Sequence, residues 1–597
     1  VEIEPAIISF TSQGYDLANR LAKALGGKAY GCGATEKYSG QAQGLLGELF
    51  AARTPVIGIC ATAILVRLLA PVLADKQSEP PVIAVSGDGK HVVPVLGGHH
   101  GANALAKQIA SITGGVAAIT TASDARFLRA LDEPPSGYAL ANPGTAKPAM
   151  AAILNGASIR LDGHAPWLAE AGYPLAEGGE VSVAVSENIA SPGMLTYHPK
   201  TLVAGIGCAR GTPAEEVIAL LEKTLAQAGL TPQSLAAIAT IDIKSDEPAL
   251  HAVAEHFTVP LRLFSATELA EERERVPNPS TIVEAETGTP SVAEAAALKC
   301  GQLLVEKQKI KNATCAIGRA QAPLDVSGFG AGPGQLHIVG IGPGEASQRT
   351  LSATKALGAS SDWVGYGLYL DLIADLHAEQ KQHHFDLGDE EIRVRHALEL
   401  AATGKNVALV CSGDGQIYAM AALVFELLNA QGSRALSAAA RRVLVESHPG
   451  ISALQMASAR AGALLGHDFC AISLSDLLTP RHKIEARLEA AAKGDFVVAF
   501  YNPRSRRRTD LLDRAKALFL EHRPPETPVI VASSLGRGDE KVRVVELGHF
   551  NPEEVDMLTI VLFGSSQSRS FLRGNGKTVA FTPRGYANKV DAAREVK

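Results

Sequence analysis

The chain has 597 residues, 46% of them hydrophobic and 20% charged, with a formal net charge of −6. That length exceeds what one hydrophobic core can serve, so about two to four domains are expected. The acidic balance and an aromatic content of only 5% exclude a general nucleic-acid binder and a base-stacking platform.

Val1 leads straight into a strand-like run over 6–10, with no basic or apolar region of signal-peptide type. The longest apolar tract, 56–74, is interrupted by Arg67 and Pro71, so it reads as a buried strand and a helix and not as a membrane span. Seven cysteines at 32, 60, 208, 300, 315, 411 and 470 form no C-x-x-C pair, which suits a reducing cytoplasm and predicts neither a disulfide framework nor a metal cluster. Short apolar runs, such as 55–60, 82–85, 202–205, 235–241 and 407–411, alternate with Ala/Leu-rich stretches. That is the pattern of a multidomain α/β protein with parallel sheets.

Within the first segment, the run Gly97-Gly-His-His-Gly-Ala-Asn103 places His99 and His100 side by side. On a regular strand they would face opposite ways and could not share one metal. One of them beside a glycine turn could serve as a general base oriented by Asn103, or could cap the turn. A soft break near 190–200 and a Gly/Pro-rich stretch at 321–335 divide the chain into 1–200, 201–320, a linker at 321–335, and 336–597. In the second segment, Thr212-Pro-Ala-Glu215 predicts a capping box with Pro213 at the first helical position, and 289–294 repeats it loosely.

After the linker, an apolar strand at 336–340 runs into Ile341-Gly-Pro-Gly344, whose glycines permit a tight turn and close ligand approach. The spacing fails the dinucleotide fingerprint, because Glu345 stands where G-x-G-x-x-G needs glycine. A second loop, Cys411-Ser-Gly-Asp-Gly-Gln-Ile-Tyr418, follows a buried strand, and ligands bind at the carboxyl ends of parallel strands. Ser447-His-Pro-Gly-Ile-Ser-Ala453 then opens a helix that Ser452 could cap. Finally, a strand at 496–500 ends in Tyr501-Asn-Pro503 and four arginines at 504, 506, 507 and 508. This is either a solvated basic loop or an anion cleft.

Taken in this order, residues 335–588 resemble the tetrapyrrole (class III) methyltransferases. The stretches 466–480 and 494–508, with Thr582-Pro-Arg-Gly-Tyr586, are similar to the precorrin-3B C17-methyltransferase branch. The resemblance implies a two-lobed fold and S-adenosylmethionine as methyl donor, with S-adenosylhomocysteine as product. Its cofactor contacts would fall on Pro343, Gly344, Ser412, Gly413, Asp414, Ile417, Ser452, Ala453, Asn502 and Gly536. It implies a polycarboxylate tetrapyrrole as substrate, for which Arg504, Arg506, Arg508 and Arg584 are candidate clamps, since guanidinium pairs bidentately with carboxylate. The proposed base of uroporphyrinogen-type relatives, an aspartate right after a Tyr, is replaced here by Gly367, leaving Tyr366, Tyr369 and Asp371 beside the vacancy. Ring contraction needs acid/base help, and His448, His337 and Glu345 are at hand.

Most of residues 1–320 resemble the cobalt-precorrin-5A hydrolases, with 126–190 matching least. That implies opening of a ring A lactone, with His99 and His100 as candidates. The expectation is a bifunctional cytoplasmic enzyme of cobalamin biosynthesis, partnered by other enzymes of that pathway and dimeric through the methyltransferase part. Two alternatives stay open. The N-terminal half could bind tetrapyrrole without chemistry, or the C-terminal half could be a nicotinamide-dependent oxidoreductase, against which the glycine spacing speaks.

Overall fold

The computed structural model describes residues 4–31, 42–73, 79–119, 127–505 and 508–586. Arg506 and the 120–124 motif lie outside the described residues, as does the side chain of His99. The chain forms two compact units. The first holds Val1–Thr240, Ala249–Pro260 and Ala266–Phe329; the second holds Ile241–Pro248, Leu261–Ser265 and Gly330–Lys597. Among the described residues, no helix is long and apolar enough to cross a membrane.

The first unit opens with a six-stranded sheet in the order Lys28–Gly31, Ala6–Ser9, Val56–Ile59, Val82–Val85, His91–Leu96, Val116–Ala117. Its pairings are parallel except that between Val82–Val85 and His91–Leu96. Ala6–Ser9, Val56–Ile59 and Val82–Val85 are buried throughout. Alternation sends Ile7, Ile57 and Ile83 to one face, under Leu17, Leu21 and Ile109. It sends Ile8, Val56 and Val82 to the other, under Leu46, Leu65 and Leu69.

A separate four-stranded sheet follows, in the order Tyr138–Leu140, Leu195–Pro199, Val181–Val185, Ile159–Asp162. The segment 1–200, expected to hold an N-terminal and a middle region, carries these two sheets. The core of the second packs Trp167 edge-on against Tyr197, ring centroids 5.1 Å apart. In the third sheet Leu202–Cys208 lies between Leu235–Ile241, parallel, and Ala313–Arg319, antiparallel, with Gln302–Lys309 beyond. The capping box expected at Thr212 does not form. Pro213 occupies the cap, and the Thr212 hydroxyl donates to the Ala209 carbonyl at 2.9 Å.

The second unit has two main sheets. The first is all parallel, in the order Lys381–Phe385, Asp362–Tyr366, Asn406–Cys411, Gln335–Gly340, Leu444–His448. Its alternating residues feed two cores, Leu336, Ile338 and Leu409 on one face and Val339, Trp363 and Val410 on the other. The second sheet is mixed, in the order Phe469–Ser473, Val497–Tyr501, Thr559–Phe563, Pro528–Ser533, Lys541–Glu546.

Arg523 pins the second sheet from within. Its buried guanidinium donates to the carbonyls of Gly564 and Phe496 and lies 4.3 Å from the Phe519 ring centroid. Burial pushes it down to about 10, still protonated at neutral pH, with Asp495 opposing that shift.

Candidate active site

Three neighbouring strands of the parallel sheet deliver loops at their carboxyl ends, and the loops meet backbone to backbone. Gly342 and Gly413 pair as an isolated antiparallel bridge, with N–H to carbonyl distances of 3.1 and 2.7 Å. A Cβ on Gly450 would lie 2.2 Å from the Gly413 carbonyl oxygen and 2.5 Å from that of Gly340, so no side chain fits there. The Asp414 carboxylate completes the join. It accepts from the Gly450 amide at 3.1 Å and from the Gln416 amide at 2.8 Å. Gly413 itself has φ +68, and a Cβ there would stand 3.7 Å from Ser452 Cα, filling the space between two loops.

The second sheet closes on this cluster. Ile417 and Ala453 pack against a core that contains Val497, Ala499 and Leu562. Ser452 begins the helix Ala453–Ala461 in a capping box with Gln455, whose Oε1 accepts from the Ser452 amide at 3.0 Å. The Ser452 hydroxyl is hydrogen-bonded to that of Tyr501, which also accepts from the Leu454 amide at 3.2 Å. Burial pushes the Tyr501 phenol up, with the Ser452 bond opposing.

Beside Tyr501, the exposed Asn502 has φ +47 and donates to Ser473 Oγ at 3.2 Å. Pro343 is buried, and a Cβ on Gly536 would come within 2.9 Å of its ring, so these two expected contacts touch each other. The expected cofactor residues Pro343, Gly344, Ser412, Gly413, Asp414, Ile417, Ser452, Ala453, Asn502 and Gly536 thus fall on a few linked loops of one unit.

Tyr418 and Gly450 were not singled out from the sequence, although both sit in quoted motifs. The Tyr418 hydroxyl donates to the Ala471 carbonyl at 2.8 Å and accepts from the Ser473 amide at 3.2 Å. The Pro449-Gly450 dipeptide was the available signal for Gly450.

The arginines divide. Arg508 is turned inward, 9% exposed, and donates to the Asn502 carbonyl at 2.8 Å, so it braces the Asn502 turn and is not a free clamp. The Arg504 guanidinium donates to the carbonyls of Thr509 at 3.2 Å and Pro552 at 3.3 Å. Arg584 is exposed. Tyr366 ends the strand Asp362–Tyr366 and meets Tyr369 edge-on, centroids 5.3 Å apart. Burial pushes the Tyr369 phenol up. His448 is buried, with Nε2 3.0 Å from His337 Nδ1 and Nδ1 2.7 Å from Ser352 Oγ.

In the first unit, residues 98–100 form a single helical turn and not a strand, between Gly97 and Gly101, both at positive φ. His100 is exposed, while Asn103 is buried on the helix Ala102–Thr113. Elsewhere in this unit lies a cavity of about 970 Å³, lined in part by Tyr138, His164, Glu187, Thr201, Arg275 and Arg319. Glu187 accepts from the Thr201 hydroxyl at 2.8 Å and lies 3.8 Å from the Arg319 guanidinium.

Three family models match the chain: Cobalamin synthesis G N-terminal over 44–124, Cobalamin synthesis G C-terminus over 202–318, and Tetrapyrrole (Corrin/Porphyrin) Methylases over 335–551. The cobalt-factor III methyltransferase of Priestia megaterium is 40% identical over 256 residues, 43% of this chain and 46% of that protein. The chain therefore spans about half the length of the first curated relatives it matches. The precorrin-3B C(17)-methyltransferase of a Sinorhizobium species is 39% identical over 254 residues, 42% of this chain and 98% of that protein. The solved structure of the methyltransferase CobJ shares 39% identity over 42% of this chain and 100% of its own, with a TM-score of 0.38. Through its residues from 335 onward, the chain belongs to the tetrapyrrole (corrin/porphyrin) methylases, in the family of the precorrin-3B C17-methyltransferases.

Proposed function

We propose that the second unit methylates C17 of a precorrin-3-type tetrapyrrole and promotes contraction of the macrocycle to a precorrin-4-type product. The observation that carries this reading is the junction of Gly342, Gly413 and Gly450 at the ends of three adjacent parallel strands, faced by Ser452 and Asn502. S-adenosylmethionine suits such a place. The loops offer backbone amides and carbonyls, an exposed Asn502 amide, and a slot beside Gly413 that a Cβ would fill.

When bound, the cofactor supplies an electrophilic methyl group. The chain's part is to hold two reactants in line, which by itself accounts for a large share of such rate gains. Gly413 and Gly450 let the loops approach, the Asp414 carboxylate fixes their spacing, and Tyr501 anchors Ser452 at the helix start. Arg506 and Arg584 remain candidates for the carboxylates of the tetrapyrrole, together with Arg504 through guanidinium nitrogens other than the Nη1 given to the Thr509 and Pro552 carbonyls, while Arg508 supports Asn502.

For the first unit we propose hydrolysis of a ring A lactone, with His100 as the nominated base beside Asn103. The cavity of about 970 Å³ favours a second reading, in which this unit holds a tetrapyrrole without transforming it. That volume is at the upper end for small-molecule sites, roughly 300–1,000 Å³, and Arg275 and Arg319 bring positive charge to its wall.

The test of the methyltransferase reading is calorimetric titration of S-adenosylhomocysteine into the full chain and into Gly413→Arg. Binding near the micromolar range is expected for the wild type, about −8 kcal/mol, and loss of that binding in a variant whose circular dichroism is unchanged. A folded wild type that binds neither the product nor S-adenosylmethionine, alone or with tetrapyrrole, would overturn the reading.

A further inference from the structure

His337 and His448 are buried, yet their ring nitrogens face each other and an exposed carboxylate stands over both. Nδ1 of His337 is 3.0 Å from Nε2 of His448, and Oε2 of Glu446 is 3.7 and 3.8 Å from them respectively. Three ligands about 2.1 Å from a tetrahedral cation stand about 3.4 Å apart, from bond lengths of that order. The observed separations bracket that spacing. We propose that His337, Glu446 and His448 form a binding site for one divalent transition-metal cation of the zinc, cobalt or nickel class, with water completing the coordination on the exposed side of Glu446.

The backbone holds this arrangement in place. Gln335–Gly340 and Leu444–His448 are adjacent parallel strands, with His337 opposite Glu446 and Val339 opposite His448. Period-two alternation therefore puts all three side chains on one face. The surroundings also set the chemistry. Ser352 Oγ lies 2.7 Å from Nδ1 of His448, so a proton on Nδ1 donated to that oxygen leaves the Nε2 lone pair directed at the cation. His337 offers Nδ1 as its ligand atom in the tautomer that carries the ring proton on Nε2. Gln335 Nε2 donates to Glu446 Oε2 at 3.2 Å and steadies the carboxylate. Two imidazoles and one carboxylate suit a borderline transition ion better than magnesium or calcium, which prefer all-oxygen sets.

The cation would sit at the root of the third cofactor loop, since His448 is followed directly by Pro449 and Gly450. Occupancy would tie that root to the central strand of the sheet. The site does not depend on the methyl-transfer reading and stands if that reading falls.

The test titrates Zn2+ and Co2+ into the full chain after removal of metal by chelator and dialysis. The expected result is one equivalent of each bound at micromolar Kd or tighter, with intense visible Co2+ bands of a four-coordinate site. Glu446→Gln, at an exposed position, should weaken binding at least tenfold, and Ser352→Ala about tenfold through the orientation of His448. His337→Gln should abolish it. The proposal is overturned if the wild type takes up no equivalent. It is equally overturned if Glu446→Gln and His337→Gln bind as the wild type does, which would place the metal on others of the 17 histidines.

Discussion

At the scale of single residues, Tyr501 is the side chain on which the site's two sheets depend most directly. Its hydroxyl serves both the Ser452 side chain and the Leu454 amide at the start of a helix. Tyr501→Phe should therefore destabilise the second unit by about 1 to 2 kcal/mol, the net worth of one or two buried hydrogen bonds, and should weaken S-adenosylhomocysteine binding. Denaturant unfolding and calorimetry would check both. The pH dependence follows from the raised phenol. The folded state keeps this proton longer than the unfolded chain, so the contribution is complete below the unfolded value of 10.0 and is lost as pH rises through the folded one. The difference in melting temperature between wild type and Tyr501→Phe should thus hold steady from neutral pH and shrink only under alkaline conditions. Ser452 and Asn502 could be nominated from the resemblance to the tetrapyrrole methyltransferases, whose cofactor contacts would fall on them, while position alone made Ser452 a helix cap. The hydroxyl that joins Ser452 could not, since Tyr501 and Ser452 are far apart in sequence and meet only through the tertiary fold. Arg508 misleads for a related reason: an arginine in a basic run looks solvated until the Asn502 turn is seen folding over it.

Among elements, the central strands Gln335–Gly340 and Asn406–Cys411 of the parallel sheet were legible because each is a short apolar run leading into a glycine-rich loop. Their edge was not. The outer strand Lys381–Phe385 carries Lys381, Gln382, His383 and His384, a composition that hides a strand. It is secured by a polar chain: His396 Nε2 lies 3.0 Å from His383 Nδ1, and His383 Nε2 lies 2.9 Å from Asp362 Oδ1, which Lys405 also contacts at 3.1 Å. Burial raises the Asp362 carboxyl, but hydrogen bonds from His383, Ser361 and Lys405 outweigh it and hold the group below the usual carboxylate range. A depressed carboxyl contributes stability that is present above the unfolded value, near 3.9, and lost as pH falls through the folded one. Asp362→Asn should accordingly lower the melting temperature at neutral pH and flatten its decline in acid. An unchanged acid limb would show that the carboxylate gives the edge strand no net support. The four-stranded sheet at 138–199 escaped sequence reading for another reason. Its strands are three to five residues long, and Pro148 interrupts its helix Pro143–Leu154, so no period runs long enough to register.

On the scale of the whole molecule, the matched families cover 44–124, 202–318 and 335–551, so both units carry corrin-related sequence. If each performs its own reaction, substitutions should separate the two. His100→Ala should abolish opening of a lactone substrate and leave methyl transfer unaltered, while Gly413→Arg should do the reverse, with both activities read by chromatography of the products. Lactone opening that survives His100→Ala would remove that histidine as the base, and absence of the activity in the wild type would favour the holding role of the large cavity. The multidomain α/β character was legible from composition and alternation alone, because such rules are local. The cavity was not, since its walls gather residues from Tyr138 to Arg319 that no window of sequence brings together.

The glycine junction also has a meaning in time. Gly340 and Gly450 are made at opposite ends of a long stretch of synthesis, yet their backbones meet so closely that no side chain fits at Gly450. During translation, then, the emerging chain lacks the complete cofactor site until Tyr501, Asn502 and Gly536 have also cleared the ribosome and can meet Ser452 and Pro343. The capacity to retain S-adenosylhomocysteine would arise abruptly at that length, which makes ligand capture a gauge of how far a nascent chain has folded.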